Sequence, residues 1–225
     1  MPNATRKESA PYSLAFATSE AASLRALTLR ERRDHARLAH EPRQRDWLAG
    51  RLAAKRAVGA FLCTSLPLHH IELESQTGAA PRCLVRNDLI EPWTLAPLLL
   101  SIAHRDGIAI AAASNPSTRI GVDIECAGEI DTEQHRYFLA PSELADTKRL
   151  GATLIWVLKE AFWKALGLSQ ALAFTSVQLA FFHGTGTLAG AWVERRWIRA
   201  HARRVRLRTR PELVAAVVTI DEEPR

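Results

Sequence analysis

Asp123 and Glu125 stand two residues apart in the run Arg119-Ile120-Gly121-Val122-Asp123-Ile124-Glu125. Ile120, Val122 and Ile124 alternate with Gly121, Asp123 and Glu125, the period of a strand with one apolar face. On such a strand the two carboxylates emerge on the same face, roughly 7 Å apart at Cβ. Like charges so placed repel unless lysine, arginine or a divalent metal lies between them. Oxygen-only ligands without His or Cys nearby favour Mg²⁺ over zinc. Further on, Trp156-Val157-Leu158-Lys159-Glu160-Ala161-Phe162-Trp163-Lys164-Ala165-Leu166-Gly167 reads as a helix ended by glycine. One face is apolar (Leu154, Leu158, Ala161, Phe162, Ala165). A second stripe places Trp156 and Trp163 around a Lys159-Glu160-Lys164 cluster. In isolation Glu160 and Lys164 would be a solvated i,i+4 pair worth a few tenths of a kcal/mol; beside two further carboxylates they have charges to meet.

The elements that must position these residues read in chain order as follows. Residues 1–17 are an irregular lead or a first strand. A helical stretch runs from Ser19-Glu20 to about Ala39, and a second helix from Arg43 to about Cys63, with Gly50 inside it at a cost near 1 kcal/mol relative to Ala. Strands are expected at Ile71–Glu74, at Leu98–Ala103 and at Ile108–Ala113. Gly78-Ala79-Ala80-Pro81 marks a turn, and Asp106-Gly107 a hairpin turn. Asn115-Pro116-Ser117 marks an internal boundary, giving halves 1–115 and 116–225. Short helices surround Pro141-Ser142-Glu143, and the key helix spans about 153–167. Strands follow at Val177–Phe182, Leu188–Ile198, 203–208 and Leu213–Ile220. The fold class is α+β.

The chain has 225 residues, 47% hydrophobic and 24% charged, which predicts a packed core. No segment approaches the roughly 18 apolar residues of a membrane span, and the N-terminus lacks a signal-peptide pattern. Cys63, Cys83 and Cys126 are too scattered for a zinc site or disulfide framework, which suits a reducing, cytoplasmic setting. The formal net charge of +6 is unevenly spread. Residues 25–56 carry ten basic and four acidic side chains, and residues 195–210 eight arginines and no acid. Two basic segments on an acidic remainder predict an anionic partner: nucleic acid, a phosphorylated small molecule or an acidic protein.

Gly121-Val122-Asp123-Ile124-Glu125 followed by Trp156 to Lys164 resembles the signature of the 4′-phosphopantetheinyl transferases, a strand (I/V)-G-(I/V)-D-(I/V)-E and a helix W-x-x-K-E-(A/S)-x-x-K. Leu48-Ala49-Gly50-Arg51 and Ser101-Ile102-Ala103-His104 are similar to further motifs of the longer, monomeric branch, which serves peptide, polyketide and siderophore synthases. The resemblance implies two similar α/β halves related by a pseudo-two-fold, each a small mixed or antiparallel sheet on helices, with the active site between them. It implies transfer of 4′-phosphopantetheine from coenzyme A to a serine of an apo acyl or peptidyl carrier protein. Mg²⁺ is required and adenosine 3′,5′-bisphosphate released. Asp123, Glu125 and Glu160 would hold Mg²⁺; Glu160 is the candidate base; Lys159 and Lys164 would contact phosphate oxygens. His104 would face the coenzyme A phosphates, and Arg45 and Arg51 its 3′-phosphate and adenylate end.

Two departures stand out. Ala80 precedes the proline where the family has lysine or arginine, leaving Arg82 as the residue that could substitute, and Ala103 stands where serine is common. These departures motivate the alternative of an inactive transferase-like scaffold; the arginine-rich segments motivate that of a nucleic-acid binder, which would leave the carboxylates unexplained. Which basic segment docks an acidic carrier helix is left open by the residues.

Overall fold

The structure is a computed structural model and describes residues 11–76, 79–88, 92–168, 172–182, 185–207 and 210–221. Gly78, which one turn expectation uses, lies outside these. The first half contains β1 (Tyr12–Thr18), α1 (Leu29–Ala36), α2 (Glu41–Phe61), β2 (Ile71–Gln76), β3 (Ala79–Val85), β4 (Thr94–Leu95), β5 (Leu99–Arg105) and β6 (Ile108–Ser114). The second contains β7 (Thr118–Cys126), α3 (His135–Phe138), α4 (Leu144–Leu150), α5 (Ala152–Leu166), β8 (Val177–Phe181), β9 (Leu188–Val193), β10 (Arg196–Arg199), β11 (His201–Val205) and β12 (Leu213–Asp221).

The halves repeat one topology. The first strand of each pairs with the last, which pairs with the one before it: β1-β6-β5 and β7-β12-β11, all antiparallel. Each half adds a small antiparallel sheet, β2-β3-β4 or β8-β9-β10. Helix α2 packs on β1, β6 and β5, and α5 on β7 and β12. The two sheets then meet across a shared apolar layer in which Ile110, Ala112, Ile120, Val122, Ile124, Ala215 and Val217 are buried. The order is helix, sheet, sheet, helix, and α+β is the observed class. The strand alternation explains the layering. Ala109, Ala111 and Ala113 face α2 while Ile108 and Ile110 face the other sheet.

Each half is locked by the same buried ion pair. Lys55 on α2 meets Glu31 at 2.5 Å and donates to the carbonyls of Ala26 and Leu68. Glu31 accepts from the backbone N–H of Thr28 and of Leu73. Lys159 on α5 meets Glu143 at 2.6 Å and donates to the carbonyls of Phe138 and Phe174. Glu143 accepts from the N–H of Ala140 and of Leu179. Partner for partner the networks correspond, and all four charged side chains are at most 1% exposed. Burial lowers the pKa of both lysines, and the adjacent glutamate opposes that shift.

Several elements differ from the sequence expectations. The stretch from Ser19 to Ala39 is not one helix. A 3₁₀ turn covers Leu24–Ala26, and Thr28 caps α1 in a capping box with Glu31. Pro42 lies in the first turn of α2, where its missing N–H costs nothing. Leu188–Ile198 is two strands, because Glu194 and Arg195 at φ 46° and 71° turn the chain. No helix among the described residues is long and apolar enough to cross a membrane.

Because each lysine satisfies a helix, a loop and a hairpin together, Lys159→Ala and Lys55→Ala are each expected to destabilise the fold by about 3–5 kcal/mol. Urea denaturation followed by circular dichroism measures this; losses below about 1 kcal/mol would contradict the assigned role.

Candidate active site at the seam between the halves

Strand β7 brings Asp123 and Glu125 to its α5 side, and Gly121 makes the approach possible. A Cβ on Gly121 would lie 1.8 Å from the carbonyl oxygen of Ala161. The glycine therefore serves close strand–helix contact, which sets the neighbouring Asp123 against α5. From the other half, the Ser101 hydroxyl of β5 accepts the Val122 N–H at 3.0 Å, tying the two sheets together beside the carboxylates.

Asp123 is buried, 6% exposed. Its Oδ1 accepts from Lys164 Nζ at 2.7 Å, and Lys164 also donates to the Val122 carbonyl. Its Oδ2 is buried without a hydrogen-bond partner. Burial raises the pKa of Asp123, against the opposing effect of Lys164. Glu160 rises through burial, with the charges of Asp123 and Glu125 adding to the rise and Lys164 opposing it. Burial likewise raises Glu125, opposed by Arg105 and reinforced by Asp123. Asp123, Glu125, Glu160 and Lys164 thus form one electrostatic cluster, with His104 close enough to Asp123 to act on it.

An orphaned buried carboxylate oxygen, flanked by two carboxylates whose ionisation is disfavoured, fits a hard cation with oxygen ligands. A tighter set lies nearby: ligand atoms of Asp106, Cys126 and Glu129 converge within 4.8 Å. That set already has a counter-ion in Arg105, which pairs with Glu129 and lies 3.6 Å from Asp106 and 3.4 Å from Glu125.

The remaining predicted residues distribute unevenly. Lys159 is not in the cluster. It is fully buried with Glu143 on another side of α5, so the i,i+4 stripe that joined it to Lys164 splits in the fold. Trp156 and Trp163 turn the same way, stacking on Phe174 at 5.1 and 4.4 Å. His104 is half exposed and sits 3.6 Å from Asp46 of α2, which also accepts the Gly107 N–H. Gly50 lies against Ile102 and His104, so its small size serves contact between α2 and β5. Arg51 is buried, donates to the Ser75 hydroxyl at 2.7 Å, lies over Trp47, and leaves Nη1 without a hydrogen-bond partner. Arg45 is exposed near the start of α2, and Arg82 is exposed on β3 opposite Glu74.

Sequence reasoning missed Ser101, Asp46 and Arg105 as parts of the seam. A serine within the apolar run Leu98–Ala103, and an acid within a basic helix, are the signals that were available.

Residues 119–218 match the family model of the 4′-phosphopantetheinyl transferase superfamily. The match contains Asp123, Glu125, Glu160 and Lys164. No curated protein sequence matches the chain. Among solved structures, the chain is similar to the crystal structure of Thermotoga maritima holo-[acyl-carrier-protein] synthase, at 23% identity and a TM-score of 0.37, over 46% of this chain and 63% of that one. The chain thus spans less than two thirds of that protein's length.

The electrostatics make a prediction. A carboxyl whose pKa is raised by folding lowers stability as pH rises past its unfolded pKa, because the fold disfavours its ionised form. Glu160→Gln is therefore expected to raise the melting temperature at pH 7 without divalent cation, with the gain fading as pH falls below the ordinary carboxylate range. Differential scanning calorimetry across pH tests it; a variant less stable than wild type at pH 7 would contradict the cluster.

Proposed function

We propose that the chain transfers 4′-phosphopantetheine from coenzyme A to a serine hydroxyl of an apo acyl or peptidyl carrier protein. The observation that carries this reading is the buried, partnerless Asp123 Oδ2 beside Glu125, Glu160 and Lys164, within the segment that matches the superfamily. Phosphoryl transfer needs cationic stabilisation of the phosphate oxygens, a base for the serine proton, and a site that keeps both in register.

Asp123, Glu125 and Glu160 would hold Mg²⁺, which supplies charge neutralisation at the pyrophosphate. The serine oxygen forms a bond to the phosphorus attached to the pantetheine arm. The bond from that phosphorus to the bridging oxygen breaks, and adenosine 3′,5′-bisphosphate leaves. Glu160, with its pKa raised by burial and by its neighbours, is suited to take the serine proton near neutral pH. Lys164 would leave Asp123 in part to contact a phosphate oxygen. His104, 3.6 Å from Asp46, would face the phosphates from the first half.

Arg51, with an unpartnered Nη1 beside Ser75, supports placing the 3′-phosphate end toward the β2–β3 hairpin, with Arg45 and Arg82 as its exposed companions. Lys159 has no part in phosphate contact and acts by holding α5. A cytoplasmic, monomeric enzyme acting on acidic carrier helices, as in secondary-metabolite synthases, completes the proposal.

Incubating the protein with coenzyme A, Mg²⁺ and several apo carrier proteins tests it. The carrier should gain the phosphopantetheine mass by mass spectrometry. Asp123→Asn and Glu160→Gln should each reduce the rate by at least about 100-fold while remaining folded. No mass gain with any carrier would sink the proposal.

A further inference from the structure

A second cationic site lies away from the seam. Arg25, Arg32, His69 and Arg86, with Leu27, Thr28 and Leu29, line an open cavity of about 300 Å³ against the first turn of α1. Arg32 is braced by its Nε–H donating to the Leu24 carbonyl at 3.0 Å, and Arg86 lies over the Trp93 ring at 4.6 Å. Burial lowers the pKa of His69, and the charges of His70, Lys55, Arg86 and Arg32 all act in the same direction. Of the neighbouring carboxylates, Glu31 is engaged with Lys55, Asp34 with Arg37, and Glu72 with the Thr28 hydroxyl and Arg30.

The repeated topology supplies an internal control. The matched ion-pair networks align Ala26 with Phe138, Glu31 with Glu143 and Leu68 with Phe174. Their neighbours then align as Arg25 with Tyr137, Arg32 with Leu144 and His69 with Thr175. The hairpin registers, Ile71 with Val85 and Val177 with Val193, align Arg86 with Glu194. The second half therefore builds the same local fold with no basic residue at any of the four positions. The second half thus builds the same fold without these charges, which in the first half converge on one cavity.

The geometry points to a binding site for the phosphate dianion of a small phosphorylated molecule, formed by Arg25, Arg32, His69 and Arg86 at the N-terminus of α1. Guanidinium forks match phosphate oxygens, and the positive end of the helix adds to the field. The site is separate from the seam. Thr28 of the cavity wall bonds Glu72, which lies three residues along β2 from the Ser75 that holds Arg51, roughly 10 Å away. The inference does not depend on the transferase reading.

The test is a titration of the full chain with inorganic phosphate at constant ionic strength, chloride making up the balance, followed by NMR of the His69 imidazole. The expected result is a saturable shift together with a raised His69 pKa, because the bound dianion favours the charged ring. The variant carrying Arg25→Tyr and Arg32→Leu installs the residues of the second half at the equivalent places, so the local fold is kept. It should bind phosphate at least about tenfold more weakly and bind coenzyme A as wild type does. A linear, non-saturating response, equal effectiveness of chloride, or unchanged phosphate affinity in the double variant would each overturn the proposal.

Discussion

The buried lysine–glutamate pair is the interaction on which each half depends. Two charges removed from water cost several kcal/mol each, and their attraction repays that only when every remaining donor and acceptor is satisfied. Lys55 and Lys159 meet this condition by each also donating to two backbone carbonyls in short helical turns, while Glu31 and Glu143 each accept two backbone N–H groups. One pair therefore fixes four things at once: the central helix, the loop that precedes a short helix, the loop after the central helix, and the first strand of the small hairpin. Its appearance in both halves with matched partners is the clearest sign that they are two versions of one fold.

Much of this architecture was legible in the residues, and the failures have a physical pattern. The alternation from Ile120 to Glu125 places Asp123 and Glu125 on the α5 side, as local strand geometry requires. The helix Ala152–Leu166 agrees with its composition and ends at Gly167 with φ 62°. Lys159 lies apart from Lys164 because helical spacing groups the two but cannot say which side of the stripe meets solvent. The deciding partner, Glu143, comes from a different element. The same holds for Trp156 and Trp163, whose stacking on Phe174 belongs to the core of the second half. Leu188–Ile198 reads as one strand because nothing in Glu194-Arg195 resembles the glycine or asparagine that usually occupies a tight hairpin turn.

The seam gathers chemistry that neither half could hold alone. The second half supplies three carboxylates and Lys164. The first supplies His104 with Asp46, the Ser101 hydroxyl that ties β5 to β7, and Arg105. Arg105 is the least anticipated of these. Lying near Glu125, Asp106 and Glu129 together, it balances the acidic edge of the site from across the seam. The basic segments also divide by role. Residues 25–56 contribute a buried structural lysine, the Arg51 corner and the outer cavity, whereas the arginines of 195–210 lie largely on β10, β11 and their turns.

We propose that the carboxylates at the seam form a cation site built on Asp123. Titrating the protein with Mn²⁺ as a paramagnetic stand-in, in the presence of coenzyme A, and counting free ion by electron paramagnetic resonance addresses it directly. Wild type should bind saturably, Asp123→Asn should lose at least about tenfold in affinity, and Asp106→Asn should be unchanged. Unchanged binding in Asp123→Asn, or a loss confined to Asp106→Asn, would contradict it and move the metal to Asp106, Cys126 and Glu129.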